Sequence, residues 1–454
     1  MKKPYCRPIV AAITVLCLGI QVSQAAKPPQ TFSFVTVRKP GTLDRVVVRL
    51  EVGGELKEQE RLGAKITSTP FSAECDITYD ERTLEIPAAA AGRWRSVRSY
   101  EKAAAKIKRG DEIAPALRAQ RSLIAVQVDA QAATLFSPRG PLTREELEVT
   151  DVLANSLLLE QFLPNKPLAV GQSWKHGEKL MAMFLGLDAV TQCDVQSTLK
   201  EVTDTVARFE VSGTVDGTRL DVATKIGLKG KYRFDLRLKR IDWFGVVVNE
   251  QKPIGKVERG LDAQATVQVR ITPKDSCPAL DDAALKGLAL ESDAALKQLQ
   301  YEPRDGQWQV LHERRWQTAG DRPDLAVWRF VDRGDYIAHC RAAVAPQRRA
   351  DKPMSLDEFK DDVRRTLGKN LSEIVEAKEL SDTGDRRVYR VVAKGEPNEV
   401  PMQWHYYLVA DPQGRAVALA FLVEQKLADR LADEDAKFVA GIRFIEPKTA
   451  GGKK

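Results

Sequence analysis

Between positions 220 and 238 the even-numbered residues Leu220, Val222, Ile226, Leu228, Tyr232, Phe234, Leu236 and Leu238 are apolar, and only Thr224 and Gly230 interrupt the series. The odd-numbered residues between them are mostly charged or small, from Asp221 to Arg237. Successive side chains of a β-strand point to opposite faces, so this period of two specifies extended chain with one apolar and one wet face. A single straight strand of this length would reach about 60 Å at about 3.3 Å per residue, longer than strands usually run. The pattern therefore predicts a bend or hairpin, with Gly227 and Gly230 as its sites.

The same alternation returns at 262–271, where Ala263, Ala265, Val267, Val269 and Ile271 oppose polar neighbours. Shorter strand-like runs occupy 31–37, 45–52, 73–79, 123–128, 194–202, 206–213 and 246–249. Consecutive one-faced strands make an antiparallel sheet whose apolar side needs a cover. Thr143 and Glu146 have the spacing of a capping box, opening a helix over 143–162 with Leu147, Val149, Leu157 and Phe162 on one side. A second short helix is predicted over 178–187. The expected first domain, 26–275, is thus a curved antiparallel sheet packed on one or two helices.

That arrangement resembles the half-barrel lipoprotein carriers of the LolA and LppX type, in which a curled sheet holds a hydrophobic ligand against helices. The resemblance implies a cavity lined by Leu220, Val222, Ile226, Leu228, Tyr232, Phe234 and Leu236; a core filled by the helix is the alternative. On the other face Lys225, Lys229, Lys231, Arg233, Arg237 and Lys239 form a basic row. Such a row is either a solvated surface or a contact for an anionic envelope polymer or lipid headgroup.

The chain opens with Lys2, Lys3 and Arg7, continues through an apolar run over 9–20 and reaches Ser23-Gln24-Ala25, the organisation of a secretory signal over 1–25. Leu16 is too bulky for the lipobox position before Cys17. No later stretch approaches the about 20 uncharged residues of a membrane helix. Export to the periplasm or cell envelope, without a transmembrane segment in the mature chain, is the expectation. Loss of the three basic residues takes the formal charge from +7 to +4, too little for a nucleic-acid binder of this length. In an oxidising compartment a disulfide between two of Cys75, Cys193 and Cys277 is possible, whereas Cys340, in an apolar run, reads as a buried thiol.

Residues 276–300 are rich in alanine and leucine and read as a helical linker. The second domain, 301–446, presents strand-like runs on either side of a helix opened by a second capping box, Ser355 and Glu358, and ends in a helix over 431–441. Asp411-Pro412-Gln413-Gly414 has type I turn chemistry and predicts a hairpin. Gly306-Gln307-Trp308, the segment Ser355-Leu356-Asp357-Glu358-Phe359, Trp404-His405-Tyr406-Tyr407 and the strand around Phe421 carry a resemblance to PsbP-like and DcrB-like α/β/α domains. Members of that group mostly bind other proteins or assist assemblies, so the resemblance implies a sandwich around an antiparallel sheet and a binding role. The fold class expected for the whole chain is α+β, with a disordered tail at 447–454.

Chemistry-bearing motifs are sparse. His176, His312, His339 and His405 are scattered and never paired at metal-binding spacing. Ser173 follows Gly171, but Lys175 stands where a nucleophile elbow needs glycine. The carboxylate pairs Asp281-Asp282 and Asp361-Asp362, and Asp433 with Asp435, fall on helix starts or polar helix faces, where they favour the helix dipole. Arg333-Gly334-Asp335 reads as a turn. The expectation is an exported two-domain binding or scaffold protein that takes an unknown envelope protein or a hydrophobic small molecule, with no cofactor or metal. A carrier in the first domain, and a hydrolase with unidentified carboxylates, are the alternatives.

Overall fold

The computed structural model describes residues 30–59, 65–87, 92–129, 132–219, 222–255, 259–304, 306–322, 324–333, 335–349, 352–380 and 386–446. The expected signal over 1–25, Leu220, Gly334 and the tail 447–454 lie outside these residues.

The first domain is built on eleven strands paired in succession: β1 (Leu43–Glu58), β2 (Thr67–Glu85), β3 (Trp94–Arg109), β4 (Leu123–Val128), β5 (Ala133–Phe136), β6 (Ser173–Lys175), β7 (Ala189–Val202), β8 (Val206–Arg219), β9 (Val222–Asp235), β10 (Arg240–Lys252) and β11 (Gly260–Pro273). Their order across the sheet is β5-β4-β3-β2-β1-β11-β10-β9-β8-β7-β6, with the short strand Asp111–Ile113 attached to β3. Two meanders are therefore joined by the long-range pairing of β1 with β11, which sets Leu56 opposite Leu261 and Val46 opposite Ile271. Every pairing in this sheet is antiparallel, as the one-faced alternation requires.

The opening alternation forms β9, and it does not bend where expected. Its register with β8 runs unbroken from Val206 opposite Asp235 to Arg219 opposite Val222, through both Gly227 and Gly230. Gly230 serves another purpose: a Cβ there would stand 2.6 Å from the Gly245 carbonyl oxygen, so its hydrogen lets β10 approach closely. The extra residue is taken up instead near Asp242, where the pairing of β9 with β10 shifts between Arg233 and Phe234.

The chain between β5 and β6 crosses the inner face as helices. The capping box at Thr143 and Glu146 is present and opens α1 (Arg144–Thr150). The expected single helix over 143–162 breaks at Asp151, and Asn155 recaps a short α2 (Ser156–Leu159) by accepting from the Leu157 amide. Ala154 in the break has a left-handed φ of 66°, and the turn lets Leu157, Leu158, Leu159 and Phe162 all enter the core. A third helix, α3 (Glu178–Leu185), adds Met181 and Phe184.

The expected helical linker at 276–300 is mostly irregular; only a single turn at Pro278–Leu280 and α4 (Asp282–Leu285) are helical. The second domain has a seven-stranded antiparallel sheet of β12 (Trp316–Arg322), β13 (Leu325–Asp332), β14 (Asp335–Ala345), β15 (Glu373–Leu380), β16 (Arg387–Gly395), β17 (Met402–Ala410) and β18 (Ala416–Glu424), in the order β12-β13-β14-β18-β17-β16-β15. Phe359, Val363 and Leu367 of α5 (Leu356–Leu367) pack with Trp404 and Leu408 in one cluster, and Phe438 and Val439 of α6 (Glu434–Ala440) pack with Tyr407 and Phe421 in another. The predicted hairpin closes through Gly414, whose amide donates to the Asp411 carbonyl at 3.1 Å.

Two arginines fasten the domains reciprocally. Arg144 of α1 donates to the carbonyls of Arg314 (2.7 Å) and Trp316 (3.3 Å), and Arg314 donates back to Leu135 (2.5 Å) and Lys297 (2.8 Å). Burial lowers the pKa of both, that of Arg314 to about 10, and the nearby carboxylates of Glu148 and Asp151 offset it only in part. Combining Arg144→Ala with Arg314→Ala is expected to split one calorimetric unfolding transition into two, one per domain; a retained single transition would show that the junction is held by other contacts.

Candidate functional site

The inner face of the first domain's sheet changes character along its strands. At one end, where β1 begins and β2 finishes, it is sealed by charge. Arg98 donates to Glu81 (2.8 Å), Asn155 (2.5 Å) and Ser156 (3.0 Å), and Arg240 to Asp44 (2.5 Å). Arg38 lies 3.3 Å from Asp44 and 3.4 Å from Glu81, and all five ionic groups are buried. The sequence gives no local sign of this network, since Arg240 and Asp44 are 196 residues apart.

Farther along, rings fill the space. Phe162 sits at the centre, its ring centroid 5.0 Å from Phe184, 5.4 Å from Phe244 and 4.8 Å from His176. Tyr232 stacks between Phe209 (4.8 Å) and Phe244 (5.8 Å) and donates its hydroxyl to the Phe162 carbonyl. The residues read from sequence as a cavity wall thus lie in this packed part: Ile226, Leu228, Tyr232 and Phe234 are buried among side chains, Val222 is buried nearer the far end, and Leu236 is half-buried.

Beyond the helices the same face is uncovered. On β1 burial falls from Val46 and Val48 to the half-buried Leu50, Val52 and Leu56. On β11 it falls from Ile271, Val269 and Val267 to Ala265, Ala263 and Leu261. Phe71 and Ala73 on β2, and Ile107 on β3, follow the same gradient. Alternation therefore continues past the cover, leaving a trough with apolar walls and a floor of small residues. Among the described residues charge enters it from β8 and β10, where Arg219 lies 3.9 Å from Glu250 and Lys252 is buried. The alternating apolar sets at 45–52, 73–79 and 262–271 were legible in the sequence; which of their ends lies beneath the helices was not.

The basic row lies on the outer face. Lys231 is 3.7 Å from Glu210, and Arg233 holds Asp242 through two hydrogen bonds of 2.8 and 2.6 Å. Lys225 sits opposite Asp216, Arg237 and Lys239 are exposed in the following turn, and Lys229 shares with Lys231 and Trp243 a shallow pocket of about 280 Å³. The row is thus partly compensated.

No disulfide links Cys75, Cys193 and Cys277, and Cys340 is also a free, buried thiol. Cys75 faces the core between Leu50 and Ala105, and Cys277 lies by Asp80, about 16 Å farther along β2 at about 3.3 Å per residue. Cys193 is on β7 opposite Val215, six strands across the sheet. A disulfide needs Cα atoms within about 7 Å. Burial pushes the Cys75 thiol up to about 11.

Burial likewise lowers His176, His312 and His339 to about 4 each. His176 is held neutral in the ring cluster, 2.7 Å from the Ser197 hydroxyl. The unfolded chain takes up protons on these rings below about pH 6.5 while the native chain does not until about pH 4. Stability is therefore expected to decline as pH falls between these values, and His176→Gln should flatten the decline in urea midpoints measured at pH 7.5, 6 and 5.

The second domain does contain a histidine–carboxylate pair. His405 Nδ1 is 2.5 Å from Asp435, whose Oδ2 also accepts from the Tyr407 hydroxyl at 2.7 Å, and His405 Nε2 is 2.6 Å from the Gln403 amide. Both ring nitrogens are occupied and the pair is buried between β17 and α6. Burial opposes the ionised Asp435, but the His405 contact and the Tyr407 hydrogen bond outweigh it and lower its pKa. These contacts suit an internal tie, with no ring nitrogen left for a substrate. Asp281 and Asp411 similarly spend their carboxylates on turn or helix amides, Ser173 is a strand residue bonded to Thr198, and no cluster of metal-binding side chains occurs among the described residues. No helix among them is long and apolar enough to cross a membrane.

No protein-family profile matches the chain, and no curated protein matches it. Among solved structures it is similar over 38% of its length to PsbP of the cyanobacterium Synechocystis, at 13% identity and a TM-score of 0.25, covering 98% of that chain. It is similar over 33% of its length to the Ran-binding protein Mog1p of Saccharomyces cerevisiae, at 11% identity and a TM-score of 0.26, covering 96% of that chain. A Bacteroides thetaiotaomicron protein is matched over 34% of this chain and half of its own, at 14% identity and a TM-score of 0.24. At these scores the likenesses bear on neither activity nor partners.

Proposed function

We propose that this protein is an exported, non-catalytic binding protein of the cell envelope whose first domain carries an elongated apolar ligand, of the acyl-chain class, in the uncovered half of its curved sheet. The observation that supports this is the burial gradient along β1, β2, β3 and β11. Apolar alternation persists where no helix covers it, and extended apolar surface is otherwise rare on a soluble domain unless something binds there. Ala73, Ala263 and Ala265 leave room that leucine or phenylalanine would fill, which suits a chain lying along the floor. Export rests on the signal-like segment over 1–25.

Native mass spectrometry of the protein purified from its own envelope tests this directly. Retained species separated by two-carbon mass increments are expected. An apo mass together with no uptake of a fluorescent fatty acid by delipidated protein would sink the proposal. Capture of a protein in place of a lipid would favour the scaffold alternative.

A further inference from the structure

The second domain holds a cavity of about 800 Å³ that shares no lining residue with the trough. It lies before the start of α5, between the lead-in to that helix and the Asp411–Gly414 turn. Where α5 covers the sheet, the facing strand residues are large, including Trp404 and Leu408. Toward the lead-in they shrink to Ala345, Ala410 and Ala416, which border the α5 cluster and line the cavity beside Leu408 and Tyr389. The hollow is braced on both sides. Tyr389 donates its hydroxyl to the Met354 carbonyl at 3.0 Å, holding the lead-in away from the alanines. The Arg348 amide donates to Gly414 at 3.1 Å, and Asp411 accepts from the amides of Gln413 and Arg415, fixing the turn.

Charge on the wall is unevenly committed. Asp411 is held by Arg415, Asp362 by Arg365, and Arg386 donates to the carbonyls of Ile442 and Ala440. Arg348 and Arg387 are spent less: among the described residues each makes one long contact, Arg348 with Glu358 at 3.5 Å and Arg387 with Glu379 at 3.4 Å. Glu358 is itself shared with the Ser355 amide of the capping box. A guanidinium has five N–H donors, so both arginines retain capacity for an anion.

We propose that this cavity is a binding site for a small amphipathic anion, an aromatic or aliphatic body on the alanine floor with a carboxylate or sulfonate met by Arg348 and Arg387. Its volume suits such a molecule, since small-molecule sites run from about 300 to 1,000 Å³. The site does not depend on the acyl-chain trough.

Titration of the full chain with 8-anilinonaphthalene-1-sulfonate tests it, in an Ala265→Trp background that blocks the trough. One saturable site is expected. Arg348→Ala combined with Arg387→Ala, both at exposed positions, should weaken it about tenfold or more. The uncharged analogue N-phenyl-1-naphthylamine should bind the parent more weakly and be indifferent to the two arginines. Ala410→Trp should abolish the site. Should that variant misfold, protection of the amides over 408–416 from hydrogen exchange on adding the sulfonate gives the same information. Sulfonate binding that survives both the arginine and the tryptophan changes, or no protection over 408–416, would overturn the proposal.

Discussion

Ala265→Trp is expected to cost the first domain at least about tenfold in affinity for a fluorescent fatty acid, while leaving its melting temperature within a few degrees of the parent's. Ala265 lies on β11 between Val52 and Val248, half-buried on the inner face beyond the helices. An indole there occupies the floor on which an acyl chain would lie; Ala265 borders the core but is half-buried, so the ring extends toward the trough and binding suffers more than folding. Ala73→Trp on β2 should do the same from the neighbouring wall. Gln264→Trp supplies the control, because Gln264 points to the opposite, exposed face, where it bonds Asn249. Retention of ligand by both inner-face variants would remove the trough from consideration.

Breaking the ionic seal should have the largest effect on stability. Arg98→Met leaves Glu81 buried beside Arg38 with its main partner gone, and the loss of one member of such a pair typically costs about 3–5 kcal/mol. Burial alone would raise the Glu81 carboxyl, but the charges of Arg98 and Arg38, with hydrogen bonds from Arg98 and Ser156, outweigh it and bring it down to about 2. A depressed carboxylate contributes stability above its unfolded value of 4.5, and that contribution is lost as pH falls toward about 2. Parent protein should accordingly show a steep loss of urea stability below about pH 4.5, and Glu81→Gln should blunt it. The double variant Glu81→Gln with Arg98→Met should be less damaged than the sum of the single changes; strict additivity would mean that the two groups do not act as a pair.

How far the sequence could be read depended on how local each signal was. The capping boxes at Thr143 and Ser355 and the Asp411–Gly414 turn involve residues three apart, and all three formed as the spacing required. β3 was missed altogether. Its residues Ala103, Ala104 and Ala105 favour helix, and a bulge opposite Thr78 and Tyr79 shifts its apolar positions out of period, so that Tyr100 and Ala103 face the same way. The helix over 143–162 was anticipated as continuous because its apolar spacing is helical throughout, whereas the buried Asn155 and Ser156, drawn to Arg98, bend it back on itself.

The basic row along β9 shows the other limit. Its alternation identifies an outer face, but the compensation of Arg233 by Asp242 arises across a strand pair and has no trace in β9 alone.

The sequence by itself determined which stretches are extended, which of their faces is apolar and where two helices start, because side-chain period and capping chemistry act within a few residues. Tertiary structure alone decided where that apolar face is sealed by charge, filled by rings or left open. Those outcomes depend on pairings such as Asp44 with Arg240 and Leu56 with Leu261, made between segments about two hundred residues apart that carry no local record of each other. The alternation at positions 220–238 specified a strand of the sheet; the placement of Phe162 and Phe184 over it made that strand core and moved the open surface to β1, β2, β3 and β11.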